Sequence, residues 1–520
     1  MGRSLTWTIG SLAVFALHAD RLDTIGVRVL RQVDPTLLGS GVPVAQVEAT
    51  DTTNSPPTFE VNPAAVGQPT NLFSYTSDLG TATNYPNSVG AESGHADSVG
   101  AAYYGANGVA PQISHVDNYE ANHFYNSIIS PLTFIPPAIA ARIVNQSFVF
   151  DGLTPAERAT AEQDYDNYAA NHNTLFISGA GNSGQIIPVA TCFNGIGVAV
   201  VDGSTSVGPT ADGRSKPDLT APGGATSFST PYVSGAAAVL LQAATRGDGG
   251  SSTATNALTL KTLLINGAVK PADWTNGPAT PLDGRYGAGI VNVFNSWKQL
   301  SGGKHAFIET SSPPTGGAHP PGANPNNVAA LTGWDFNSLT STAGQTDRVN
   351  HYYFNLPAST TGTVTLTATL VWNRAAALSP LQMTVINNLN LFLYNAATGN
   401  LVLASTSAVD NVEHLFVPAL PAGRYDLQVL KSSANQATTA ETYTLAFEFF
   451  TLPLNLALTD TNIVLSWPVA PTGFRLESTA SFTPPIVWSN VNAAVAISNN
   501  LNHVTLPAPD AQLFFRLKRP

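Results

Sequence analysis

Residues 225–235 read ATSFSTPYVSG, a hydroxyl-rich turn that runs into an apolar stretch, with Ser227 at its mouth. Val233, Ala237, Leu240, Leu241 and Ala244 recur at helical spacing. Pro231 reads as a first-turn residue, where a missing amide proton costs nothing. Gly235 and the alanines at 236–238 carry almost no side chain, so this helix can pack closely on its neighbours. A hydroxyl at such a helix start feels the partial positive charge of the N-terminus, where an oxyanion would be held. That is the setting of a serine nucleophile, which is too weakly acidic to attack an amide without a neighbouring base. Taken alone, the stretch also fits a buried Ala-rich helix capped by its Ser and Thr residues.

The residues upstream narrow the choice. KPDLTAPGG occupies 216–224, GHADSVGAAYYG occupies 94–105 with GVAP at 108–111, and FISGAGNSG occupies 176–184. In this order and at this spacing, the blocks resemble the serine, histidine and asparagine motifs of the subtilisin-like serine peptidases. The resemblance spans roughly residues 30–300. It implies that His95 is the base and that Asn182 donates its side-chain amide to the tetrahedral oxyanion beside the Ser227 N–H. In subtilisin, losing that asparagine costs about 100- to 1,000-fold in turnover. It further implies that substrate pairs by β-augmentation along Ser147 and Phe148 and lies beside Gly179 and Ala180. By itself, Asn182 in AGNSG would read as a turn residue.

The third member of the triad departs from the family pattern. Residues 39–50 read GSGVPVAQVEAT, so Glu48 stands where the family's strand ends on aspartate. One extra methylene still lets a carboxylate reach the outer imidazole nitrogen, and Ser-His-Glu triads are chemically sound. Asp51 is the rival candidate, and a surface role for both carboxylates is the third reading. Two family glycines are alanines here, Ala96 after the histidine and Ala225 before the threonine and serine. Alanine is tolerable there if the backbone angle is ordinary and damaging if it is positive. Asp97 either acts on the His95 pKa or faces solvent.

Length and composition set the frame. A chain of 520 residues predicts two to four domains. Charged residues are 11% and apolar ones 43%, with 43 Gly and 37 Pro, a profile of many turns and short strands. The net charge of −11 argues against a nucleic-acid partner and supplies no basic membrane footprint. Cys192 is the single cysteine, so the chain has no internal disulfide. Arg3, the apolar run 5–17 and the small-residue site at Leu17-His18-Ala19 read as a secretory signal over 1–19. A buried first helix is the competing view. The signal predicts a secreted, periplasmic or cell-surface protein without a transmembrane anchor.

The expected fold class is α/β, a subtilisin-like parallel sheet flanked by helices, followed by a jelly-roll-like β-sandwich and a small all-β module. The expected boundaries are 20–302 for the catalytic domain, 303–330 for a Pro/Gly/Asn linker, 331–450 for the sandwich and 451–520 for the last module. Within the first unit, residues 20–38 read as a lead-in helix, 114–130 and 155–172 as helices, and 142–149 as a buried strand. In the second, TVTLTATLVW at 363–372 puts Val364, Leu366, Ala368, Leu370 and Trp372 on one face. The C-terminal units either brace the catalytic domain or bind a surface or carbohydrate. No cofactor and no metal is expected. Asp410, Asn411 and Glu413 are the weak calcium candidate, which reads more simply as a polar turn.

These readings predict a monomeric secreted endopeptidase acting on polypeptide through an acyl-enzyme. No acidic residue lies in 145–149 or 177–184, which favours an apolar or broad preference at the main specificity pocket. The altered glycines and the Glu-for-Asp exchange keep open a catalytically inactive binding protein on the same scaffold.

Overall fold

The computed structural model describes residues 21–50, 55–130, 136–313, 321, 326–328, 330–344, 346–357, 364–374, 386–434, 436–451, 454–459, 461–468, 474–481, 487–498, 501–509 and 512–518. The signal reading at 1–19, Asp51 and much of the linker therefore lie outside the described residues.

The lead-in is two short helices, α1 (Arg21–Thr24) and α2 (Val27–Val33), instead of one. The α/β unit then follows in chain order. Strands β1 (Pro43–Glu48), β2 (Phe73–Ser77) and β3 (Gly80–Ala82) precede helix α3 (Gly94–Tyr103). Strands β4 (His115–Glu120) and β5 (Ile143–Gln146) lead to helix α4 (Pro155–His172). Strands β6 (Leu175–Gly179), β7 (Ile196–Val200) and β8 (Leu219–Ala221) lead to helices α5 (Thr226–Arg246), α6 (Ala257–Asn266) and α7 (Val293–Ser301).

The strands form one sheet in the order β8-β7-β6-β5-β1-β4-β2-β3. Every pairing is parallel except the β2–β3 edge hairpin. Near-continuous burial of IVNQ, LFISG and IGVAV fits central strands covered on both faces. A capping box, in which Thr154 and Glu157 satisfy each other's backbone amides, starts α4 where the sequence signals it.

Residues 115–120, read as part of a helix, are instead the strand β4 beside β1. Its inward positions are Val116, Asn118 and Glu120. Two of these three are polar, so the period-two signal is hidden from an apolar count. Asn118 accepts from the Val61 amide and donates to the Gln46 carbonyl, while the Glu120 carboxylate accepts from the Asn122 and His123 amides.

Beyond α7 the chain is all β. Strand β9 (Glu309–Ser311) falls inside the stretch read as linker and pairs with the sandwich. It is followed by β10 (Thr332–Thr340), β11 (Arg348–Leu356), β12 (Val364–Trp372), β13 (Leu389–Asn395), β14 (Leu401–Ser405), β15 (Val412–Leu420), β16 (Gly423–Lys431) and β17 (Ala440–Thr451). They make two antiparallel sheets, β9-β11-β16-β13-β14 and β10-β17-β12-β15. Strand β12 is buried at every position, not on one face. Its second face meets the α/β unit, where Thr367 and Thr369 donate to Asn266 Oδ1 at 3.0 and 2.9 Å. Trp334, Val371, Val412 and Ala446 join the same buried apolar cluster as Leu263, Leu264 and Leu300. Residues 454–518 add two small antiparallel sheets around Ile463, Leu465, Trp467, Leu476 and Val504.

Candidate active site

A parallel sheet delivers the carboxyl ends of its strands to one edge, where the following loops can converge. Glu48 is the last residue of β1 and is 1% exposed. Ser147 follows β5, Asn182 follows β6 by three residues, and Ser227 follows β8 at the start of α5. His95 is the second residue of α3, whose Ser93 cap accepts from the Ala96 amide. Helices α3 and α5 pack on each other, and the His95 and Phe228 rings lie 5.5 Å apart.

The carboxylate and imidazole meet directly, with His95 Nδ1 2.7 Å from Glu48 Oε2. That hydrogen bond raises the His95 pKa above its ordinary value, against an opposing effect of burial. The other Glu48 oxygen, Oε1, accepts from Gln46 Nε2 at 2.8 Å. Gln46 also donates to the Ala96 carbonyl at 2.9 Å and accepts from the Tyr104 hydroxyl at 2.5 Å. Gln46 thus ties the carboxylate to the helix that carries the histidine. Sequence reasoning missed it, although polar residues at 46 and 48 alternate within an otherwise apolar strand. Tyr104 gave no signal in the sequence.

Asp97 does not touch His95. Its carboxylate accepts from the Asn62 amide at 2.7 Å, and burial pushes its pKa up to about 6. Burial pushes nearby Glu60 up to about 7, against a hydrogen bond from Asn87.

Around the serine, two donors make no hydrogen bond among the described residues. Asn182 Oδ1 accepts from the Thr226 amide and hydroxyl at 2.9 and 3.0 Å, which fixes the side chain and leaves its NH2 group as a donor. The Ser227 amide is a first-turn N–H without an intrahelical partner. Gly181 holds φ +97° in the Asn182 loop, where a Cβ would lie 2.7 Å from Ser206 Oγ. Gly224 takes the left-handed angle before the helix, φ +77°. Ala225 is extended, φ −146°, and Ala96 is helical, so neither alanine occupies a position that needs glycine.

Pro231 is not in the first turn. Helix α5 begins at Thr226, which places Pro231 in the second turn and removes the N–H that would bond the Ser227 carbonyl. Ser147 Oγ supplies the replacement, donating to that carbonyl at 2.8 Å. It is held by Asn145 Nδ2 at 3.0 Å, and Asn145 Oδ1 in turn accepts from Ser234 at 2.9 Å. In return the Ser227 hydroxyl donates to the Ser147 carbonyl at 3.3 Å. No hydrogen bond joins Ser227 to His95 in this rotamer.

Phe148 is half-buried, its ring 5.7 Å from that of Phe150. Gly179 and Ala180 are buried, and the Ala180 amide donates to the Val198 carbonyl. The groups at 410–413 serve the fold. Asp410 accepts from the Ser215 amide, Asn411 donates to the Phe193 and Trp372 carbonyls, and Glu413 accepts from the Ser407 amide. No cluster of three metal-ligating side chains occurs among the described residues. None of their helices is long and apolar enough to cross a membrane.

A search of curated protein sequences returned no match. Among solved structures, the chain is similar to the Aeromonas sobria serine protease crystallised with a chaperone. Identity there is 12%, over 92% of this chain and 88% of that one, with a TM-score of 0.36. It is also similar to tripeptidyl peptidase 2, with 11% identity over 85% of this chain and 53% of that one and a TM-score of 0.31. Residues 71–289 match the model of the subtilase family. Glu48 precedes that span, whereas His95, Asn182 and Ser227 all fall within the subtilase-family match.

Proposed function

We propose that the chain is a secreted serine endopeptidase with a Ser-His-Glu triad. Ser227 Oγ attacks the scissile carbonyl while His95 takes its proton, and Glu48 orients the imidazole and stabilises the imidazolium. The Asn182 side-chain amide and the Ser227 N–H receive the oxyanion. His95 then protonates the leaving amine, and water hydrolyses the acyl-enzyme through the same relay. The observation that carries this reading is the 2.7 Å contact of His95 Nδ1 with Glu48 beside a serine at a helix start. In this mechanism the Ser227 hydroxyl leaves the Ser147 carbonyl, which it now meets at 3.3 Å, and turns to His95.

Substrate is proposed to pair along Ser147 and Phe148, with Gly179 and Ala180 forming the floor of the main specificity pocket. The absence of carboxylates from 145–149 and 177–184 supports an apolar or broad preference there.

The hydroxyl's present bond to Ser147 favours a second reading, an inactive scaffold that keeps the fold for binding. A fluorophosphonate probe separates the two, because only an activated serine is acylated. The expected outcome is labelling of the wild type at Ser227 and none of Ser227→Ala. A folded wild type that resists the probe at neutral pH leaves the binding reading standing.

A further inference from the structure

A cavity of about 1010 Å³ opens beside Phe228, the residue after Ser227. Its wall includes Arg21, Arg28 and Arg31 from α1 and α2, Ser98 from α3 and Tyr232 from α5, and no carboxylate. In a chain with 33 acidic and 22 basic residues, three guanidiniums around one cavity run against the overall charge. We propose that this cavity is an anion-selective subsite for carboxylates carried on the leaving-group half of the substrate. The proposal rests on the reading of Ser227 as nucleophile and adds a substrate class to it.

The side of the cavity follows from the chemistry. His95 protonates the leaving amine, so the leaving-group half must pass the imidazole. The Phe228 ring lies 5.5 Å from that imidazole, tilted by 40°, and Ser98 lies one turn along α3 from His95. Both line the cavity, while Ser147, Phe148 and Asn182, which would serve the acyl half, do not. An extended peptide advances roughly 3.3 Å per residue, and the proposed subsite is assigned to one of the second to fourth residues after the scissile bond.

The partners of two of these arginines differ in kind. Arg28 has Asp23 at 3.3 Å, both of them about half exposed. Arg31 is fixed by donating to the Gly108 and Val109 carbonyls at 2.8 and 3.0 Å, and its Nε is buried with no partner. Burial and the neighbouring Arg28 charge lower its pKa, a repulsion that a bound carboxylate would relieve. Guanidinium and carboxylate are matched in geometry for bidentate pairing. The carboxylate can come from an Asp or Glu side chain or from the substrate's own C-terminus.

Quenched-fluorescence peptides sharing one acyl half test this. One arm carries Ala, Glu or Lys at the second, third or fourth position after the scissile bond, with an amidated end. The other arm has alanines only and ends in a free carboxylate at those positions. For the full chain, kcat/KM should be about 10-fold higher for Glu than for Ala at one position, with Lys below Ala. The gap should shrink in high salt, and Arg28→Glu should reverse the order of Glu and Lys. A larger gain for the free-carboxylate peptide would assign the site to chain ends. Equal turnover of all peptides by a probe-reactive enzyme overturns the subsite and leaves the peptidase reading intact. If no peptide is cut and Ser227 is not labelled, that reading falls. Anisotropy of fluorescent Glu and Lys peptides on Ser227→Ala then decides the subsite, and equal binding overturns it.

Discussion

The Glu48 carboxylate sits one bond further from its backbone than an aspartate would, and each of its oxygens has a partner. Oε2 holds His95 and Oε1 holds Gln46. Glu48→Gln keeps the size and removes the charge, so turnover should fall about 10,000-fold without loss of fold. The bond from Glu48 raises the His95 pKa, and a base works only when neutral. The acid limb of kcat/KM in the free enzyme should therefore lie above 6.5 and move down in Glu48→Gln. The same bond favours folding below the ordinary histidine pKa, and that contribution is lost as pH rises through the folded value. Gln46→Leu leaves Glu48 Oε1 and the Tyr104 hydroxyl without their bonds and lets the carboxylate swing. Stopped assays should show kcat reduced by up to about 100-fold with KM little changed.

At the scale of elements, the site depends on a serine helix that contains a proline and a strand end that compensates for it. Ser147→Ala should cost about 1–3 kcal/mol in urea unfolding, because the Ser227 carbonyl loses its donor. Pro231→Ala restores the helical N–H, so the double variant should recover part of that loss. Strict additivity of the two changes would show that Ser147 does not serve this carbonyl. This pairing also marks where the sequence stops being readable. The three motif blocks put the serine, histidine and asparagine forward because Gly-rich turns and small-residue helix starts leave a local signature. The register of Pro231 did not, since nothing in STPYVSG fixes the helix start to Thr226. Strand β4 was hidden for the opposite reason. Its inward residues Asn118 and Glu120 are spent on backbone amides and carbonyls, so it lacks apolar alternation. Glu48 was put forward by its place after VAQV and meets His95 at 2.7 Å, whereas Asp51, its rival, falls outside the described residues.

Across the whole molecule, the sandwich is fastened to the α/β unit by a shared apolar cluster and by buried polar contacts. Trp334 packs within that cluster and donates to the Leu300 carbonyl at 3.2 Å. Glu448 accepts from Lys298 and Gln299 at 2.8 and 2.9 Å. Calorimetry should therefore show residues 21–451 melting together, and Trp334→Ala should cost about 3–5 kcal/mol in that single transition. Two separate transitions, with only the later one shifted by the substitution, would mean that the halves stand independently. Such a seam changes what self-digestion would do to this protein. A backbone cut between 312 and 331 severs the chain without separating its halves. The nicked species should elute as one particle from a sizing column and fall into two fragments only in denaturant.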